Sequence, residues 1–566
     1  MSEQWDVVVV GSGPGGLTAA ACLAGAGRRV LVVERHDVAG GNAQVFRRHH
    51  GGATYEFDVG IHYIGDAGPG GLFPTILRGL GIEDRVRFRP LDPDGFDTLT
   101  FPDLTFRVPA DWDRYRERLV EAFPDERAGV ERCVEVLRGV AEESRARLLP
   151  GAETPTFDRW AFRPLSELFE ASELSPRAQA VLDHWSGLYA GGPRHTAVAM
   201  HAGIIDHYMR GAYYPEGGGQ VIPAHLIEVI EANGGEVRCL TSVARILTDA
   251  GRATGVELAD GTVVEAPIVV SNADHARTVL ELVDRSAWDP ATVAWTESAA
   301  MTLALVCVYV VVDVELEGPN TNYFVFDGYE TDELYDRLDA GELGDGAPFA
   351  YVAMASRKDP GNEHLCPPGH TNLQIMTLAP RGYRWWGLDD GPTHGGSYRR
   401  NEAYRARKAD LTDRLIDAAE RVLGPFRDHI VHVETATPLS QERYTHSTGG
   451  TSYGYVHSPE QTGEHRPQHR TEIEGLWLVG ANTASGHGIA GTMVGGVNCA
   501  GEILGRPLLV EFFLGTRLVE PEALPPSPPD LDPLEFSRGA RLRAARAAGR
   551  AARQDRASSR EASPSR

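Results

Sequence analysis

The sequence predicts an α/β fold built on a doubly wound parallel sheet, and three observations carry that prediction. Residues 5–10 (WDVVVV), a glycine loop, the Ala-rich stretch 17–26 and residues 29–33 form a strand–loop–helix–strand unit at the start of the chain. Residues 222–233 read as a helix closed by Gly234 and Gly235, followed by a series of short β-type runs. Near the other end, the apolar run 476–479 leads through a second glycine turn into a helix of small residues over Gly488–Leu504.

Each element has a local reason. The first strand is an unbroken apolar run, as expected where both faces of a sheet are covered. Residues 236–240, 243–248, 253–258 and 262–265 alternate with turn residues, Asp249-Ala250-Gly251-Arg252 and Asp260-Gly261 among them. Residues 268–271 return as a buried strand. Residues 112–148 carry a helical pattern and interrupt the sheet. The longest apolar run, 301–314, is too short and too β-branched to span a bilayer and reads as a buried strand.

Composition narrows the function. A chain of 566 residues exceeds a single core, so two packed domains are expected. The net charge of -24 excludes a nucleic-acid binder, which needs a basic face. Of the 55 basic residues only Lys358 and Lys408 are lysines. Six cysteines are scattered without metal-ligand spacing, so no metal site is expected and the thiols should be reduced. Polar residues and a short strand follow Met1, so no signal peptide is expected and the location should be cytoplasmic.

Gly11-Ser12-Gly13-Pro14-Gly15-Gly16 carries the first chemistry. Gly11 permits a tight turn, Gly13 lets the backbone approach a pyrophosphate, and Gly16 lets the helix sit close to the strand. Pro14 and Gly15 complete a loop whose helix head offers free N–H groups to phosphate. Glu34, at the end of the second strand, can accept both ribose hydroxyls of an adenosine. Arg35 and the pair Gly40-Gly41 follow. The C-terminal segment adds Gly480, Asn482, Gly488 and Gly491. A cofactor touched by both ends of the chain is the FAD arrangement. No second GxGxxG follows a strand, so NAD(P)H enters only as a diffusible electron donor. No Cys or His lies in a flavin-linking motif, so FAD should be noncovalent.

Four further motifs are informative: residues 55–65 (YEFDVGIHYIG), Tyr214-Pro215-Glu216-Gly217-Gly218, residues 268–273 (IVVSNA) and Lys358-Asp359-Pro360. With them the chain resembles the retinol saturase and carotenoid isomerase branch of the phytoene desaturase superfamily, over residues 5–508. The resemblance implies a glutathione-reductase-like, Rossmann-type FAD domain with an interleaved α+β substrate domain and a hydrophobic tunnel. It assigns FAD contacts to Gly11, Gly13, Gly16, Glu34, Arg35, Gly41, Val243 and Gly480, with Gly60 and His62 in the same motif block. Ala481 stands where many members have an acid, and Asn482 is the expected substitute.

On this reading, residues 1–111, 206–285 and 466–515 form the FAD domain. Residues 112–205, a helical insertion, and 286–465 form the substrate domain. Residues 516–566 form a Pro-rich linker and an Arg-rich disordered tail, suited to peripheral contact with an anionic membrane. The implied activity is hydride exchange between flavin N5 and a polyene or isoprenoid C=C bond, as reduction or isomerisation. Candidate proton donors are Glu216, His62, Tyr63 and His487. A desaturase or aromatising dehydrogenase of a carotenoid or polyketide pathway is the alternative enzyme. A prenyl-lipid escort protein is the non-enzymatic one.

Overall fold

The computed structural model describes residues 3–147, 151–344, 349–389, 391, 396–528 and 530–548. At its centre five parallel strands run in the order Glu236–Arg238, Val30–Val33, Val7–Val10, Ile268–Ser271, Leu476–Leu478. Alternation within the first strand decides what it touches. Val7 and Val9 face the layer that contains helices Pro14–Gly25, Val221–Ala232 and Gly488–Leu504, while Val8 and Val10 face a second sheet. That second sheet is the predicted hairpin series, Val243–Asp249, Arg252–Leu258 and Val263–Glu265, with Glu3–Gln4 paired at its edge. Covering both faces explains why the strand is all valine.

The substrate side is a seven-stranded mixed sheet in the order Ile430–Ala436, Leu305–Val312, Thr371–Leu378, Ala350–Met354, Asn322–Val325, Asp97–Phe101, Leu104–Val108. Leu305–Val312 is the strand expected over residues 301–314. The last two strands correct the division at residue 111, because they pair with the substrate sheet and not with the parallel one. Helices from Trp112–Ala122 to Val198–Met209 form the insertion, and the last of them runs across the division drawn at 205. In the long helix Arg127–Ala146 the buried residues Val130, Cys133, Val134, Leu137, Val140 and Ala141 make one apolar stripe.

The C-terminal segment departs from expectation. Residues 530–548 are not a loose tail: they dock on the edge of the parallel sheet. Leu534 packs with Val38 and Val45, and Ala39 N–H donates to the Ser537 carbonyl at 2.8 Å. Arg538, Arg541, Arg543 and Arg546 pair with Asp37, Glu236, Glu231 and Glu535. Residues 549–566 of the expected tail lie outside the described residues. Leu508, Leu509 and Phe512 are buried, Phe512 over Gly79, whereas Phe513 and Leu514 are exposed. Among the described residues, no helix is long and apolar enough to cross a membrane. All six cysteines are free thiols.

Helices Pro14–Gly25 and Gly488–Leu504 cross at glycine. A Cβ on Gly496 would lie 2.6 Å from the Gly15 carbonyl oxygen and 2.8 Å from Thr18 Cβ. Gly496→Val should therefore cost about 1–3 kcal/mol of stability through overpacking. Gly203→Ala, where a Cβ meets nothing within 4 Å, should be neutral or slightly stabilising. Thermal unfolding followed by flavin fluorescence should show the first variant releasing its flavin at lower temperature and the second not.

Candidate active site

One continuous cavity runs from the glycine loop to an aromatic compartment in the substrate domain. At the loop, crowding excludes side chains. A Cβ on Gly13 would approach Asn272 Nδ2 to 2.7 Å, and one on Gly16 would approach the Gly11 carbonyl to 2.4 Å. Gly11 takes φ +93°, which its tight turn requires. The helix beginning at Pro14 has no side-chain cap, so its first-turn N–H groups remain for a phosphate.

Glu34 is buried and preset. Oε2 accepts from Ser12 N–H (3.0 Å) and Ser12 Oγ (2.7 Å), and Oε1 accepts from His36 N–H (2.7 Å). Oε2 is filled by its two bonds, and Oε1, with one, retains a lone pair for a ribose hydroxyl. Gly41, Gly60 and Val243 line the same cavity. Gly16 and Gly40 stand behind its wall. Gly40, at φ +133°, donates N–H to Ser12 Oγ and so supports the residue that orients Glu34. Arg35 lines the cavity, but its guanidinium donates to the Tyr444 and Arg443 carbonyls and fastens the end of helix Pro438–Thr445.

Gly480, Asn482, Gly488 and Gly491 line the same cavity, and Gly480 lies against Gly15 of the loop. Asn482 Oδ1 accepts from Tyr455 N–H (2.9 Å), which fixes the amide's orientation. These features fit FAD. A side-chain-free cradle meets two helix heads, and a buried carboxylate, Glu34, stands beside it to take the adenosine ribose. Gly11–Gly15, Glu34, Val243 and residues 480–491 would hold it.

Beyond lies the compartment formed by Tyr63, Tyr208, Phe324, Phe349, Tyr351 and Tyr453. Tyr63 stacks on Tyr208 with ring centroids 4.4 Å apart. Charge sits just behind these rings. Tyr63 O–H donates to Asp97 Oδ2 (3.0 Å), and Asn322 Nδ2 donates to Asp97 Oδ1 (2.8 Å). Lys358 Nζ donates to Asn322 Oδ1 (2.5 Å) and to the His62 carbonyl (2.6 Å). Burial pushes the Asp97 carboxyl up to about 7 against the bonds from Asn322 and Tyr63. Burial likewise pulls the Lys358 ammonium down to about 7, resisted by Asp97 and Asp58. His62 is held neutral, down to about 3, by burial and then by the Lys358 charge. Its Nδ1–H therefore donates to Gln374 Oε1 at 2.7 Å.

The cavity thus brings together His62, Tyr63 and His487 but not Glu216. Glu216 is a third exposed (33%) and ion-paired with Arg89 at 3.0 Å, away from the cavity lining. The Tyr214-Pro215-Glu216 motif instead contributes Tyr214, whose hydroxyl donates to buried Asp58. Sequence reasoning passed over Asp97 and Asn322, which nothing in their neighbourhood marks. Lys358 carried a signal, since it is one of two lysines in an arginine-rich chain. No group of three or more metal-ligating side chains occurs among the described residues.

Glu34→Gln keeps the shape but removes the charge that accepts the ribose. FAD affinity should fall by about 1.5–3 kcal/mol, the range for hydrogen bonds to a charged group. Gly13→Val should abolish binding through the Asn272 clash. Titrating deflavinated protein with FAD and following flavin fluorescence measures both.

Comparison with known proteins agrees with this geometry. Residues 14–504 match the family described as flavin containing amine oxidoreductase. An all-trans-retinol 13,14-reductase of Macaca fascicularis is 30% identical over 552 residues, covering 91% of this chain and 88% of its own. A chloroplastic prolycopene isomerase of an Oncidium hybrid cultivar is 26% identical over 524 residues, covering 88% and 84%. An oxidoreductase structure from Methanosarcina mazei shares the fold, with a TM-score of 0.59 at 18% identity over 88% of this chain and 100% of its own. With its glycine cradle, preset Glu34 and two helix heads on one cavity, the chain belongs to the flavin-containing amine oxidoreductase family and is an FAD-dependent oxidoreductase.

Proposed function

We propose that the protein exchanges hydride between FAD and one C=C bond of a conjugated polyene or isoprenoid lipid, reducing or isomerising it. The observation that carries this reading is the aromatic compartment continuous with the flavin cradle, whose ionisable groups sit behind the rings. Flat rings such as Tyr63 and Tyr208 can stack on a conjugated chain and exclude water from it. The names of the two relatives, a retinol reductase and a prolycopene isomerase, support the same substrate class.

Bound FAD supplies the hydride exchange. The chain itself must supply the proton, and Tyr63 backed by Asp97 is the proposed source. The Tyr63 side chain lines the cavity, its hydroxyl meets Asp97, and Asp97 is protonated in part near neutral pH. His62 orients the wall, and His487 serves the flavin side. A stored proton favours addition to a double bond over desaturation, so the desaturase reading stands second. A flavin-free escort does not fit the family. Contact with an anionic bilayer would fall to the arginines beyond residue 548, because Arg538, Arg541, Arg543 and Arg546 are engaged by acids.

The test is a single turnover. Anaerobically reduced enzyme mixed with all-trans-retinol or a poly-cis-carotenoid should regain its oxidised flavin spectrum with a product two mass units heavier, or return an isomer of unchanged mass. Reaction of the oxidised enzyme alone, with products two units lighter, establishes the desaturase instead. Tyr63→Phe and Asp97→Asn should slow the reductive reaction by about 10²- to 10⁴-fold, the range of general acid catalysis. FAD content should not change. The wild-type rate should hold below pH 7 and fall above it, because Asp97 loses its proton as pH rises through about 7. Stopped-flow flavin absorbance across pH checks both expectations.

A further inference from the structure

Arg466 presents a different problem. It is 3% exposed, and among the described residues no carboxylate pairs with it. Its Nη2 donates to the Ala481 carbonyl at 2.8 Å, and its Nη1 donates to the Gln461 carbonyl and the His457 ring, both at 3.1 Å. Its Nε, also buried, has no hydrogen-bond partner among the described residues. A buried guanidinium without a counter-charge is costly, and replacing its water by carbonyls does not neutralise it.

The neighbouring imidazoles form a directed chain. His487 Nε2 lies 3.0 Å from the Leu188 carbonyl, which only a donor can satisfy. Burial, and then the Arg466 charge, hold His487 neutral, down to about 4, so its Nδ1 is a lone pair. His457 Nε2, 2.8 Å from that nitrogen, must then carry the proton. His457 Nδ1 is left to accept from Arg466. Burial and the Arg466 charge keep His457 neutral as well. Every N–H in the chain points from Arg466 towards Leu188, and the whole unit carries one positive charge. His487 and Leu188 both line the cavity. His487 is also the cap residue of helix Gly488–Leu504, whose first-turn N–H groups add a positive partial charge at the same place.

We propose that Arg466, acting through His457 and His487, is the counter-charge for the electron-rich form of the flavin ring and sets its reduction potential. Arg466 is a positioning residue: it acts through the imidazoles and does not touch substrate. The inference rests on the flavin assignment and is independent of the polyene reading. When oxidised flavin takes up two electrons and one proton at N5, a negative charge is left on the N1–C2=O edge, and a fixed positive charge beside that edge makes the uptake easier. Sulfite reports the same charge without any substrate. Its sulfur lone pair forms a bond to N5, and the N5=C4a electron pair moves to N1–C2=O.

The experiment uses the full-length holoenzyme. Sodium sulfite should reversibly bleach the flavin band of the wild type. Arg466→Gln should weaken that binding at least about tenfold and lower the midpoint potential by about 30 mV or more, the equivalent of tenfold for a two-electron couple. Arg466→Lys, which keeps the charge, should stay within about threefold of wild type. A wild type that forms no sulfite adduct overturns the proposal. So does an FAD-loaded Arg466→Gln with unchanged sulfite affinity and potential. Should that variant fail to retain FAD, Arg466→Lys decides: tenfold loss of sulfite affinity with the charge intact would show that the charge is not what the ring senses.

Discussion

Everything in this molecule is arranged around backbone crowding at the carboxyl edge of the parallel sheet. Asn272 stands at the centre of it. Its side chain lies where a Cβ on Gly13, Gly15, Gly16 or Gly480 would have to go, and its backbone lies against Gly11. Its N–H is held by the Val10 carbonyl. Two helix heads from opposite ends of the chain can reach one cavity only because no side chains intervene, and Gly496 lets them cross. The pyrophosphate of FAD needs that close backbone approach, so the fold and the cofactor site share one constraint.

The second organising feature is how charge is placed relative to the cavity. Asp58, Asp97 and Lys358 are all buried, but aromatic rings stand between them and the compartment, with the Lys358 ammonium 5.8 Å from the Tyr63 ring and 5.9 Å from the Tyr214 ring. A hydrophobic substrate therefore meets π-faces, while the groups able to exchange protons lie one hydrogen bond away. Lysine suits this place where arginine would not, because an ammonium can lose its proton on burial and a guanidinium cannot. On the flavin side the choice reverses. Arg466 keeps most of its charge, being lowered only to about 10 by burial. The two buried cations differ in identity because one belongs to a proton network and the other stands as a fixed charge.

The C-terminal segment shows how far composition can mislead. Arg538, Arg541, Arg543 and Arg546 read as a solvated tail because few large apolar residues accompany them. In the fold they meet Asp37, Glu231, Glu236 and Glu535. Exposed pairs of this kind contribute little singly. Arg538 is different, since it is buried at the loop that follows Glu34, where Ser537 also accepts from Ala39 N–H. That loop lines the cavity beside Glu34.

Sequence alone determined the parallel strands, the glycine loop, Glu34 and the helix Gly488–Leu504, because each depends on short-range pattern: unbroken apolar runs, glycine spacing, or a carboxylate at a strand end. It also singled out His62, Tyr63 and His487, which the fold brings to one cavity. Tertiary structure alone decided that Glu216 turns to Arg89, that Asp97 and Lys358 are joined through Asn322 behind Tyr63, and that Arg466 finds no acid among the described residues. It also moved residues 97–108 into the substrate sheet, by pairing Asp97–Phe101 with Asn322–Val325. These outcomes rest on contacts between residues from 34 to 296 positions apart. Whether a charge is buried, paired or exposed depends on what the rest of the chain brings against it, and no local pattern records that.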